Sequence, residues 1–138
     1  MKAIIALVLV LSLAACGGGG GNGGGGGASM TDVAKQFIEA TFKADKDAWQ
    51  AAACEAIKAQ ADSMTGATGM PEGVTYDFSA LKYEVKEESG DTGKVGISGV
   101  MKLTVAGQTQ EVDFASNPLA EVPMKKEGGN WKVCPNIS

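Results

Sequence analysis

Between Gly17 and Ser29 the chain is glycine apart from Asn22, Ala28 and Ser29, and a run of that kind cannot fold. Glycine loses the most backbone entropy on ordering and brings no side chain to bury, so the tract is a flexible tether. Its length, about 13 residues, spans roughly 20 Å on average and about 45 Å at full stretch. Folding is thereby confined to residues 30–138, about 110 residues, enough for one hydrophobic core and not for two. The tract satisfies Gly-x-Gly-x-x-Gly trivially, but a dinucleotide fingerprint needs a strand before it and a helix opening on it. Gly90 to Lys94 reads Gly-Asp-Thr-Gly-Lys, yet Val95 stands where a phosphate loop needs Ser or Thr, so this segment is a turn.

Upstream of the glycines, Lys2 precedes an apolar stretch from Ala3 to Leu11, and Leu13-Ala14-Ala15-Cys16 follows. The stretch falls short of the roughly 20 residues a membrane-spanning helix needs, and it has the order of a secretory signal. Leu13 to Cys16 resembles the bacterial lipobox. That resemblance implies a diacylglyceryl group on the Cys16 thiol, cleavage between Ala15 and Cys16, and acylation of the new amino terminus. A plain secretory signal with an incidental cysteine is the competing reading. The expected division is a signal peptide over 1–15, a lipid-anchored Cys16 with its glycine tether over 16–29, and a single domain over 30–138. Lipid chains in that number exceed what stable anchoring requires, so the membrane is the first expected partner. Gly17 rather than an aspartate follows the cysteine, which favours the outer membrane, facing periplasm or cell surface.

The net charge of −4 becomes −5 once Lys2 is removed with the signal. All the basic residues are lysines, so the bidentate grip of arginine on phosphate or carboxylate is missing and nucleic-acid binding is excluded as a reading. Cys54 and Cys134 remain as an even pair once Cys16 carries lipid. In an oxidising compartment they are expected to form a disulfide closing a loop of about 80 residues, worth about 4 kcal/mol in the chain-entropy account. Two buried free thiols are the alternative. Without histidine, two cysteines lack the usual further ligands of zinc, and neither metal nor cofactor is expected.

Within the folded part, Met30, Val33, Ala34, Phe37, Ile38, Thr41 and Phe42 recur at helical spacing, with Ser29 or Thr31 able to cap the start. Ala44 to Asp47 interrupts the stripe. A second helix is expected from about Asp47 to Met64, holding Trp49, Ala53 and Ile57, with Cys54 at the border of its inward face. Glycines and Pro71 make 65–73 a loop. The period then changes to two. Leu81, Tyr83 and Val85 alternate with charges, and Val95, Ile97, Met101, Leu103 and Val105 share a phase that Gly99 also occupies. Gly96 and Gly99 inside so long a strand predict a bend or bulge. Val112 and Phe114 mark a further strand, and a last hairpin pairs about Glu121–Lys126 with Asn130–Cys134. The expected class is α+β, two N-terminal helices packed on a curved antiparallel sheet of four to five strands.

The succession Gln36 to Ala40 with Lys43-Ala44-Asp45, then Tyr83 to Glu88, Gly90 to Val95, and Lys125 to Val133 ending Asn130-Trp131-Lys132-Val133, resembles small bacterial lipoproteins with a cystatin-like fold. These are similar to the nuclear-transport-factor-2-like superfamily and carry a domain of unknown function. The resemblance covers roughly Met30 to Cys134. It implies a cone, with helices against a strongly bent sheet and a pocket in some members at the open end. The loop after Met64 departs from the larger enzyme members.

Enzymes on that cone place an Asp, His or Tyr at the bottom of an apolar pocket, and the absence of histidine excludes a His-Asp dyad or a Ser-His-Asp triad here. Asp77, Glu111 and Asp113 are the candidate acids within strands, each of which reads more simply as a solvated carboxylate. Tyr76, Tyr83 and Trp131 are candidates for ligand stacking, against core packing as the plainer reading. The scattered methionines Met64, Met70, Met101 and Met124 read as gap fillers rather than a copper site, and Asn136 to Ser138 as an incidental sequon. No catalytic residue is assigned. The expected role is a non-catalytic binding or envelope function with an envelope or surface protein as partner. The alternative is a small-molecule pocket or a weak enzyme of the limonene-hydrolase or ketosteroid-isomerase type, which requires an inward carboxylate. Pure structural spacing in the envelope is a third reading.

Overall fold

The computed structural model describes residues 27–63 and 73–135. Leu13 to Cys16, the cleavage site after Ala15, the tether up to residue 26, most of the 65–73 loop, Met64, Met70 and the 136–138 sequon therefore lie outside the described residues. Helix α1 runs Met30–Lys43. Ser29, and not Thr31, caps it: the Ser29 hydroxyl accepts the Asp32 amide at 3.2 Å, which satisfies one of the free donors of the first turn. Ala44 ends the helix in the left-handed region, and the Asp45 amide returns to the Ala40 carbonyl at 3.0 Å. The expected stripe is the buried face, with Val33, Ala34, Phe37 and Ile38 turned to the core.

The second expected helix is broken. Helix α2 spans Lys46–Ala52, capped by the Asp45 carboxylate on the Ala48 amide, and α3 is a single turn over Glu55–Lys58. Ala53 and Cys54 between them are extended, with Ala53 bridged in parallel to Val133 and the Cys54 amide donating to the Val133 carbonyl at 2.8 Å. Helical spacing alone predicted continuity, but a strand edge seventy-odd positions away in the sequence claims this backbone. Covering that edge satisfies groups that would otherwise invite foreign strands. Lys132 reinforces the closure by donating its ammonium to the Ala51 carbonyl.

Antiparallel strands follow: β1 Thr75–Asp77, β2 Lys82–Ser89, β3 Thr92–Ser98, β4 Val100–Val105, β5 Gln108–Asp113, β6 Glu121–Glu127 and β7 Asn130–Val133. They form two sheets, in the orders β2-β3-β6-β7 and β1-β4-β5. The expected single sheet of four to five strands is thus seven shorter segments, and the register explains why. β1 with β2, β3 with β4, and β5 with β6 are three long antiparallel runs, each interrupted where it passes its neighbour: at 78–81, at Gly99 and at 114–120. Gly99 sits at φ +99°, and a side chain there would begin 2.2 Å from the Ala80 carbonyl oxygen. Its own carbonyl accepts the Phe114 amide at 3.0 Å, so the three interruptions are clasped to one another. Gly96 makes neither bend nor bulge. The bulge falls in β2, between Val85 and Glu87.

Both sheets turn one face to α1, which contacts β2, β3 and β7 along the first sheet. At its far end Phe42 packs 5.9 Å from Tyr76 and 5.9 Å from Phe114 of the second sheet and its flanking turn. Alternation along the strands sends Val95, Ile97, Met101, Val122 and Met124 inward, where they meet Ile38 and Phe37 in one core. Among the described residues no helix is long and apolar enough to cross a membrane.

Candidate functional site

Each of the three carboxylates singled out in the sequence has a local structural task. Asp77 is exposed and accepts the Ser79 amide at 2.9 Å; its hydrogen bonds with Ser79 hold the carboxyl below the usual carboxylate range. Asp113 is exposed and caps the 3-10 turn Phe114–Ser116 by accepting the Ala115 amide at 3.0 Å. Glu111 lies across the β4–β5 pair from Lys102, 3.8 Å away. Asp77 and Glu111 flank Lys102 in register from β1 and β5, Asp113 lies at the end of β5, and all three are exposed. An inward carboxylate, which the small-molecule reading requires, is therefore not supplied by any of them.

The aromatic candidates are packed. Tyr76 stacks on Phe78 at 5.9 Å within the cluster around Phe42. Trp131 is half-buried on the core margin with the Lys126 ammonium 4.7 Å from its ring centre. Tyr83 faces α1 from β2, and its hydroxyl is buried without a hydrogen-bond partner. Burial, with the Glu39 charge adding to it, pushes the phenol up to about 12.

The opposite face of the first sheet is turned to solvent. Lys94, Gly96 and Ser98 alternate with the inward Val95 and Ile97, and across the strands they meet Glu84, Lys86, Glu121 and Pro123. Lys86 lies flat over Gly96, where its Cε would touch any added side chain at 2.5 Å, and it pairs with Glu84 at 2.7 Å. That pairing holds the Glu84 carboxyl below its ordinary range and the Lys86 ammonium above it. Lys94 spans two carboxylates, 3.8 Å from Glu87 and 3.5 Å from Glu121. Open grooves of about 190 Å³ and about 520 Å³ flank Glu121 on either side, the first floored by Gly96 and Ser98, the second by Thr92, Lys94 and Pro123. Such a face offers paired lysines and glutamates, a chemistry suited to polar contact. Val85, 43% exposed at the edge of β2, is the large apolar residue left in the open among the described residues.

Cys54 and Cys134 stand at disulfide distance, with Cα atoms 5.3 Å apart. Glu127, at the turn of the β6–β7 hairpin, approaches them: a carboxylate oxygen and both sulfurs lie within 4.8 Å of one another. Its other role is visible in the same place, where it accepts the Glu55 amide at 3.0 Å and caps α3. Alternation could have put Lys94, Gly96 and Ser98 on one face from sequence alone. The β6–β7 hairpin that carries Glu127 is the one expected from the sequence, whereas its approach to Cys54 and the groove around Glu121 depend on the Ala53–Val133 bridge and on the pairing of β6 with β3, for which a single sequence carries no signal.

No protein-family model matches the chain, and no curated protein matches it either.

Proposed function

We propose that this is a lipid-anchored protein of the bacterial envelope whose cystatin-like domain, similar to the nuclear-transport-factor-2-like superfamily, has a non-catalytic binding role. The observation that carries the reading is the filling of the concave side. Ile38, Phe37 and Met30 of α1 are buried in the core against the inner face of the first sheet, which supports a filled side and not an open pocket. Binding is left to the outer face, around Glu121. The pairing of Cys54 with Cys134 fits an oxidising compartment and so fits export. The anchor itself rests on Leu13 to Cys16, and the outer membrane, facing periplasm or cell surface, is the location the residue after Cys16 favours.

Labelling cells with a radioactive fatty acid, with and without Cys16→Ser, tests the anchor. Label on the native chain alone, and loss of the variant from the membrane fraction, is expected; equal retention of both removes the proposal. Protease treatment of intact cells then distinguishes surface from periplasm. For the binding role, photo-crosslinkers in place of Glu121 and of Asp113 are compared in envelope extracts. A discrete protein partner at Glu121 and none at Asp113 is expected. Equal background at both positions, or turnover of a small molecule by the purified chain, overturns it.

A further inference from the structure

We infer that the thiol form of the Cys54–Cys134 pair, together with Glu127, holds one divalent cation of the zinc class in place of the disulfide. Two sulfurs and one carboxylate oxygen already converge within 4.8 Å. Zinc binds thiolate at about 2.3 Å and carboxylate oxygen at about 2.0–2.2 Å, so the ligand atoms of one ion stand about 3.5 Å or a little more from each other. The sulfurs, bonded to each other in the disulfide, must therefore move apart on reduction, which the 5.3 Å between their Cα atoms leaves room for, while the Glu127 oxygen is already within reach of both. The backbone of each ligand is independently fixed. Cys54 donates its amide to Val133 at 2.8 Å and Cys134 donates its own to Pro123 at 2.9 Å, while Glu127 is steered by the Glu55 amide. These hydrogen bonds are separate from the sulfur–sulfur link, and metal binding requires that they hold the donors together when it opens. Both cysteines are buried and Glu127 is half-buried, so two thiolates are shielded while the carboxylate side leaves a fourth position for water.

The chemistry balances with a dithiol as reductant. The dithiol passes two electrons and two protons to the disulfide and becomes a disulfide itself; the cation then displaces the two thiol protons and forms two metal–sulfur bonds. The sequence alone argued against a metal because two cysteines lacked further ligands; the third ligand is brought by the β6–β7 turn. A chain that has been exported but not yet oxidised would in this way keep Ala53–Cys54 against β7 by coordination until the covalent link forms.

The test uses the full chain carrying Cys16→Ser, so that Cys54 and Cys134 are its thiols. It is reduced with a dithiol, freed of reductant without air, and titrated with cadmium, read by thiolate-to-cadmium charge-transfer absorption, with zinc as competitor. One cadmium per reduced chain, none per oxidised chain, and displacement by zinc are expected. Glu127→Gln should weaken binding at least ~10-fold, the scale on which even outer-shell partners of a metal site act. Its oxidised form, melted alongside, reports whether the substitution harms the fold. Near-ultraviolet dichroism of the tryptophans follows the fold of the reduced chain. If reduction loosens it, one equivalent of metal should restore the signal. Absence of the absorption band, a stoichiometry other than one, binding that leaves the chain unfolded, or equal affinity in Glu127→Gln overturns the inference.

Discussion

The two faces of the four-stranded sheet are written by neighbouring residues of the same strands, one position apart, and they have opposite characters. On the inner face Val95, Ile97, Val122 and Met124 are buried against α1. On the outer face Lys94, Gly96, Glu121 and Pro123 border solvent-filled grooves. Side chains alternate across a strand, so a single run of backbone can carry stability on odd positions and contact chemistry on even ones. The division means that the outer face is free to change without the fold being lost.

The sharpest way to break this contrast is at the point that serves both faces. Gly99→Val puts a branched side chain where even a Cβ would begin 2.2 Å from the Ala80 oxygen, at a φ that L-residues avoid. A loss of about 4 kcal/mol or more is expected, read as failure to fold or a collapsed urea midpoint. Next, Ile38→Ala removes a fully buried side chain from the inner face and should cost about 3 kcal/mol by chemical denaturation. A cost below about 1 kcal/mol would mean the concave side is loosely filled, which would reopen the pocket reading.

Tyr83 allows the inner face to be probed by pH. Its phenol titrates near 10.0 when unfolded and at about 12 in the fold, so the native state keeps its proton longer. Below pH 10 both states hold the proton and nothing is lost. Between pH 10 and 12 the unfolded state alone releases it, and stability falls. Melting curves from pH 9 upward should show a steeper decline for the native chain than for Tyr83→Phe, whereas at neutral pH the variant should be no less stable, because the hydroxyl it loses has no partner. Parallel declines would mean that the hydroxyl reaches water. The smallest expected effect is on the outer face. Glu121→Gln breaks its contact with Lys94 and should change stability by under about 0.5 kcal/mol, since ion pairs this exposed contribute little.

Much of the inner face was legible in the sequence, and little of the outer one. Helix α1 emerges with its ends because its stripe and its Ser29 cap are local. The phase of Val95 to Met101 is local too, and so is the demand for a bend near Gly99. The closeness of Cys54 and Cys134 agrees with the pairing expected if Cys16 is set aside for lipid. The break of the second helix was not readable, because Ala53 is extended only by virtue of Val133, far along the chain. β1 is three residues long, too short for alternation to declare itself. The division into seven strands turns on where neighbouring runs cross; the β6–β7 hairpin that carries Glu127 was legible, but the docking of Ala53 and Cys54 against it was not. Local chemistry fixes what each residue prefers; partners distant in sequence decide which preference is honoured.

Met30 packs its sulfur against Gly93, so closely that an added Cβ there would stand 2.5 Å from it, while Phe42 at the other end of α1 lies beneath β1 and the Phe114 turn. The folded unit is therefore polar along its length. Its first residue emerges beside the β2–β3 turn, and the β4–β5 turn at Ala106 and Gly107 stands at the opposite pole. A fluorophore placed at Gly107 would therefore sit at the pole of the described fold away from Met30.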